Sequence, residues 1–174
     1  MANANWNEES LQWEESVTAV TATPSVELGS RRYEAGSDWL YVYNGSTQFL
    51  DPYRGCRFLS GTSGYTVDVV SPAVSTLTCG LLVGVPVNGT ITTGAYGWVM
   101  TRGIGSVFNK TSIAIGGSPM YMGASGTFRN LGAASTDTAS GALTRLFPAG
   151  FWIDDGTSTT ATDTVKAYIK SPLF

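Results

Sequence analysis

The 174-residue chain contains no histidine and only two cysteines, Cys56 and Cys79. Histidine is the commonest general base near neutral pH and the commonest zinc ligand. Its absence excludes Ser-His-Asp and Cys-His hydrolases in their usual form, as well as a four-ligand zinc site built from this chain alone. Two cysteines are too few for a disulfide framework, so two partly buried reduced thiols are favoured over a bridge.

The acidic residues offer little more for catalysis. Asp154 and Asp155, followed by Gly156, form the only tight carboxylate pair of the chain after residue 15. This pattern is typical of a turn between a strand and a Thr-rich loop, with a calcium or sugar contact as the alternative. The glycines lack the lysine of a phosphate-binding loop. We therefore expect a protein that is not an enzyme and that needs no cofactor and no metal.

Charge is scarce, since charged residues make up 13% of the chain against about 25% in a typical globular protein. Serine and threonine together number 40, so the surface is largely hydroxyl and backbone. Such a surface suits contact with other proteins. The chain has no basic stripe, no apolar run of 18 residues and no signal-peptide pattern, so we expect neither nucleic acid nor a membrane as partner.

The acidic residues are concentrated at the start of the chain. The first fifteen residues carry four glutamates and no lysine or arginine, so the net charge of −3 divides into −4 for this segment and +1 for the rest. The segment reads either as a short helix capped by Asn5 or Asn7 or as an extended arm. Its candidate partner contacts are its acidic and large apolar side chains: Trp6, Glu8, Glu9, Leu11, Trp13, Glu14 and Glu15.

Residues 1–25 are interpreted as this acidic arm and residues 26–174 as a single β-domain. Twenty-one glycines, abundant β-branched residues and the lack of glutamate after Glu34 disfavour long helices. The pattern predicts a β-sandwich or β-barrel of short antiparallel strands. Hairpin turns are expected at Asn44-Gly45 and Asn88-Gly89. The alternation of apolar and polar residues over 163–174 predicts a strand with one solvent-exposed face.

The stretch TTGAYGWVMTRG (92–103) places glycines and aromatics around a short apolar run. Gly94 and Gly97 permit the backbone conformations of a tight corner, and Trp98 is expected to anchor the core with Met100 on the same face. This stretch is interpreted as a structural corner. The alternative is that exposed aromatics bind sugar, but packing in the core is favoured for this set: Tyr41, Tyr43, Tyr96, Trp98 and Tyr121.

The order of segments resembles a class of small structural proteins of tailed bacteriophages. The segments that carry the resemblance are LGSRRYEAGSDWLYVYNGST (28–47), TGAYGWVMTRG (93–103), GGSPMYMGASGTFR (116–129) and VKAYIKSPLF (165–174). The most specific piece is the G-x-Y-G-W-V hexad from Gly94 to Val99. The layout over roughly residues 27–172 is similar to that of the head decoration, or cement, proteins.

This resemblance implies a β-rich protein of the virion that binds the outer surface of the capsid shell and stabilises it. Its partners would be the major capsid protein and further copies of itself in a homotrimer, assembled in the host cytoplasm. The aromatic and acidic side chains of the arm would then contact the shell. A carbohydrate- or receptor-binding module on the virion surface is the alternative function.

Overall fold

The computed structural model describes residues 16–59, 64–69, 82–87, 89–109, 116–123, 126–130, 148–155 and 164–174. The described residues form ten β-strands and no α-helix, which confirms the all-β class. Among these residues no helix is long and apolar enough to cross a membrane. The strands are β1 (Val20–Thr21), β2 (Arg31–Glu34), β3 (Ser37–Asn44), β4 (Cys56–Phe58), β5 (Thr66–Val69), β6 (Tyr96–Phe108), β7 (Pro119–Met122), β8 (Phe128–Arg129), β9 (Gly150–Trp152) and β10 (Thr164–Lys170).

The strands form one mixed sheet that curls into a half-barrel. The order across the sheet is β4-β5-β3-β6-β10-β9-β7-β8, with β1 paired to β6 and β2 paired to β3 beside this path. β6 is the longest strand, at 13 residues, and it pairs antiparallel with β3, β10 and β1. The sheet is therefore organised around β6.

Two hydrophobic cores lie on opposite faces of β3 and β6. In the first core, Trp98 and Met100 pack with aromatic and aliphatic residues inside the half-barrel. In the second, Val99 of β6 packs with Leu40 and Val42 of β3 under the segments that follow β3. Each fully buried aliphatic side chain stabilises the fold by about 1.5–3 kcal/mol, so this strand pair is the most strongly held part of the sheet.

A β-bulge at Thr101 changes which side chains of β6 face the half-barrel. Asp38 of β3 pairs with Arg102 of β6, and the next residue, Trp39, pairs with Met100. Thr101 is therefore one extra residue of β6 between these two pairs. The Thr101 hydroxyl donates to the backbone carbonyl of Asp38 at 3.2 Å. Because of the extra residue, even-numbered side chains face inward before the bulge and odd-numbered ones, such as Val107, face inward after it.

The hairpin predicted at Asn44-Gly45 is wrong. β3 ends at Asn44, and its hairpin partner is β2, which joins it through Ala35 and Gly36. The Asn44 amide instead donates to the carbonyls of Gln48 and Ile91, both at 2.9 Å. Asn44 therefore ties two loops together from a buried position, and its side-chain hydrogen bonds outweigh the turn preference of the Asn-Gly pair.

Other strand predictions are confirmed or corrected by the pairing. The described residues on either side of the hairpin turn predicted at Asn88-Gly89 form isolated bridges instead, among them Val85 to Met100, while Asn88 itself lies outside the described residues. β6, at 13 residues, is longer than the short strands predicted for this chain. β10 shows the predicted alternation of buried and exposed residues. Antiparallel strands were predicted, but β3 pairs in parallel with β5, so the sheet is mixed.

Gly150, at the start of β9, is required by its backbone conformation and its surroundings. Its φ is +144°, a region that side-chain-bearing residues rarely adopt. A Cβ atom at this position would collide with the backbone carbonyl oxygen of Tyr168 in β10. Gly117 also has a positive φ, +79°, but a Cβ there would meet nothing within 4 Å.

This pair of glycines yields a stability prediction. We expect Gly150→Ala to lower the free energy of unfolding by at least about 3 kcal/mol, because the collision with Tyr168 forces β9 and β10 apart. Gly117→Ala, the matched control, costs about 1 kcal/mol for its positive φ alone. Urea unfolding followed by circular dichroism measures both. Equal losses in the two variants would contradict the tight approach of β9 to β10.

Candidate interaction surface

The seven predicted contact residues of the arm all lie outside the described residues. The described part of the arm is held on the domain, because Val20 and Thr21 pair with Gly97 and Tyr96 of β6. Val17 also packs against the first core. The chain therefore joins the sheet close to the start of β6.

The predicted corner lies at the entry to β6. Gly94 has a φ of +75° in the turn that precedes the strand. Gly97 leaves room for the Ile91 side chain, whose atoms lie 2.8 Å from where a Cβ would be. Trp98 is 3% exposed and packs in the first core at 5.0 Å from the Tyr41 ring. These residues hold the sheet together.

The aromatic set considered for sugar binding is mostly inaccessible. Tyr41, Trp98 and Tyr121 are buried, and the Tyr41 hydroxyl hydrogen-bonds with the Ser25 hydroxyl and accepts from the Ser25 N–H. Tyr43 and Tyr96 are half-buried and contact each other at 4.9 Å between ring centroids. This set does not form the exposed groove that the carbohydrate-binding alternative requires.

A row of apolar side chains crosses the outer face of the half-barrel. Tyr168 of β10 lies directly opposite Ile104 of β6 on one side and Phe151 of β9 on the other, and Pro119 of β7 lies opposite Phe151. Residues that pair in register project to the same face of a sheet. Ile104 is 61% exposed and Phe151 43% exposed. We call these four residues the outer row.

Basic side chains flank the outer row. Arg102 and Lys170 are paired directly across β6 and β10, two residues along each strand from Ile104 and Tyr168. Lys166 lies on the other side of the row and is also exposed. Arg102 Nε donates to the Tyr168 hydroxyl at 2.8 Å, and this hydrogen bond raises the pKa of Arg102 above its ordinary value. The outer row thus has a cationic border with a fixed guanidinium.

The described residues contain no group of three or more histidine, cysteine, aspartate or glutamate side chains placed to hold a metal ion. Asp154 and Asp155 are both exposed after β9. The Asp155 carboxylate accepts a hydrogen bond of 2.7 Å from the Gly116 backbone N–H. Asp155 therefore ties the loop before β7 to the end of β9, which is a structural role.

The Cys56 thiol is free and buried in the second core. Its Sγ donates to the Gly84 carbonyl at 3.3 Å. Burial in the apolar core raises the pKa of Cys56 to about 12 from its ordinary value of 9.0. Since the thiolate is the nucleophilic form, this cysteine is held unreactive; Cys79 lies outside the described residues.

The burial of Cys56 yields a prediction about reactivity. At pH 8 we expect iodoacetamide to modify Cys56 at least roughly 10³-fold more slowly in the folded protein than in urea, because the raised pKa alone lowers the thiolate fraction by that factor. Peptide mapping by mass spectrometry measures the rate at Cys56 separately from that at Cys79. Similar rates in the folded and unfolded protein would contradict the burial.

The outer row was not apparent from the sequence. Ile104 lies between two glycines and has no alternating apolar neighbours, so it resembles an isolated surface residue. The alternation in β10 places Tyr168 correctly on the exposed face, and that was the only available signal. The pairing of β10 with both β6 and β9 is what joins the four residues into one row.

No protein-family model and no curated protein sequence matches the chain. A solved structure that is similar is the head fiber gp8.5 N base of bacteriophage phi29, at 14% identity and a TM-score of 0.48. The match covers 76% of this chain and 94% of that chain. The likeness is partial in both sequence and backbone.

Proposed function

We propose that this chain is a structural protein of a bacteriophage virion, which binds the outer surface of the capsid shell and stabilises it. This role is that of a decoration or cement protein and requires no catalysis. The partners of the chain are the major capsid protein and further copies of itself in a homotrimer. It would act on the assembled capsid surface after synthesis in the host cytoplasm.

The observation that carries this proposal is the outer row with its cationic border. Exposed aromatic and aliphatic residues in one contiguous row are typical of protein–protein contact surfaces. Phe151 and Tyr168 are of the residue type that dominates the energy of such contacts, and Arg102 adds a guanidinium beside them. A chain with 13% charged residues has little other charged surface to keep it apart from neighbours.

The resemblance of the sequence to decoration proteins supports the same function. Its most specific piece, Gly94 to Val99, forms the turn into β6 and the first residues of that strand. The hexad therefore lies where β6 joins β1 and β3, at the centre of the sheet. Its residues have structural roles in the sheet, and the capsid contact belongs to other surfaces of the molecule.

Binding to shells tests this proposal. We expect the purified protein to bind saturably to capsids that lack it, at hundreds of copies per particle, and to raise the temperature at which those shells release their DNA. Repeated attachment over a lattice converts modest contacts into strong retention. Co-sedimentation measures the binding, and sedimentation equilibrium of the free protein measures its oligomeric state. No affinity for such shells would refute the proposal.

Variants of the arm test its part in attachment. We expect Trp6→Ala combined with Trp13→Ala to weaken shell binding by at least about tenfold, since a buried interface tryptophan contributes about 2 kcal/mol or more. Phe49→Ala is the matched control, because Phe49 is 57% exposed on the domain and lies outside both the arm and the outer row. Equal affinities for the double variant and the control would show that the arm does not bind the shell.

A further inference from the structure

The border of the outer row contains a pair of like charges in direct register. Arg102 and Lys170 lie opposite each other across β6 and β10. Like charges placed directly opposite in a sheet destabilise it. Asp38 lies opposite Arg102 across β3, but no salt bridge to Lys170 is formed within the part of the chain that the structure describes. A carboxylate brought to this border would relieve the repulsion.

A ligand that binds the whole of this surface must contact both the apolar outer row and its cationic border. Such a ligand carries large apolar side chains next to carboxylates and has no cations of its own. Residues 1–15 of this chain have that composition, with Trp6, Leu11 and Trp13 interleaved with four glutamates and no lysine or arginine. The arm and the surface are therefore complementary in charge and in polarity.

The arm is also attached at a suitable distance. Val20 pairs with Gly97, and Ile104 lies seven residues further along β6, which at about 3.3 Å per residue is about 23 Å. Fifteen residues span up to about 50 Å when extended, so the arm reaches the row in an extended conformation. A tether whose length matches the span also gives a high effective concentration.

We propose that the outer row and its Arg102–Lys170 border bind residues 1–15 of the acidic arm of the same chain. Apolar side chains of the arm cover Ile104, Tyr168 and Phe151, and its glutamates lie against the two cations. This contact belongs to the free protein and does not depend on attachment to a capsid. Since the arm cannot bind the shell and the row at once, attachment through the arm would uncover the row.

A second copy of the same face is a poorer occupant than the arm. It would bring a second Arg102–Lys170 pair to the interface without the four carboxylates that the arm supplies. Asp154 and Asp155 do not substitute for them, because they lie on the Lys166 side of the row and the Asp155 carboxylate is bonded to Gly116. The charge balance therefore favours the arm over a face-to-face dimer.

Zero-length cross-linking of the full chain tests this inference. A carbodiimide joins carboxylates to lysine amines in contact, and the products are identified by mass spectrometry. We expect a cross-link between a glutamate of the arm and Lys170. In a mixture of unlabelled and ¹⁵N-labelled protein, the two peptides of each cross-linked product should be either both unlabelled or both ¹⁵N-labelled, because they come from the same chain. The absence of this cross-link, or peptides of mixed label, would overturn the proposal.

Substitutions in the row provide the control. Ile104→Ser keeps every charge, and we expect it to lower the yield of the Lys170 cross-link about fivefold or more, because an apolar anchor of the contact is lost. Phe49→Ser removes an exposed apolar side chain elsewhere and should leave the yield unchanged. Phe151→Ser replaces Ile104→Ser if the latter fails to fold by circular dichroism. An unchanged yield in a folded row variant would overturn the proposal; loss of shell binding would not affect it.

Discussion

The pairing of β3 with β6 is the interaction on which the rest of the structure depends. Over Trp39–Val42 and Trp98–Met100 the two strands are apolar on both faces, so a hydrophobic core lies on either side of them. Strands buried on both faces are set by packing in two directions at once, and a slip of one residue would exchange the two cores. The register between Leu40 and Val99 therefore determines the position of every strand attached to β6.

The bulge at Thr101 divides β6 into two parts that differ in burial on the outer face. Before it, the face of Val99 is covered by the second core. After it, the side chains on the outer face, beginning with Arg102 and Ile104, lie beyond that cover and are exposed. β10 and β9 continue this uncovered face through Tyr168 and Phe151. The outer row is thus a consequence of where the second layer ends.

An uncovered apolar face suits a protein that works by contact with other protein surfaces. Gly150, with its positive φ and its close approach to β10, has a structural role, and the Cys56 thiol is held unreactive by burial. Arg102 is the charged residue most closely tied to the outer row, through its hydrogen bond to Tyr168. The surface around the outer row thus combines aromatic side chains with a few oriented charges.

The sequence by itself determined the all-β class, the alternation in β10 and the burial of Trp98, because these follow from local composition and from a period of two residues. It also located the acidic arm, since charge is read directly. It was misleading at Asn44-Gly45, where hydrogen bonds to Gln48 and Ile91 outweigh the local turn preference. Only the tertiary structure decided the bulge at Thr101, the parallel contact of β3 with β5 and the outer row. These depend on which strands become neighbours, and pairing between distant segments is set by the packing of the two cores, which no local pattern encodes.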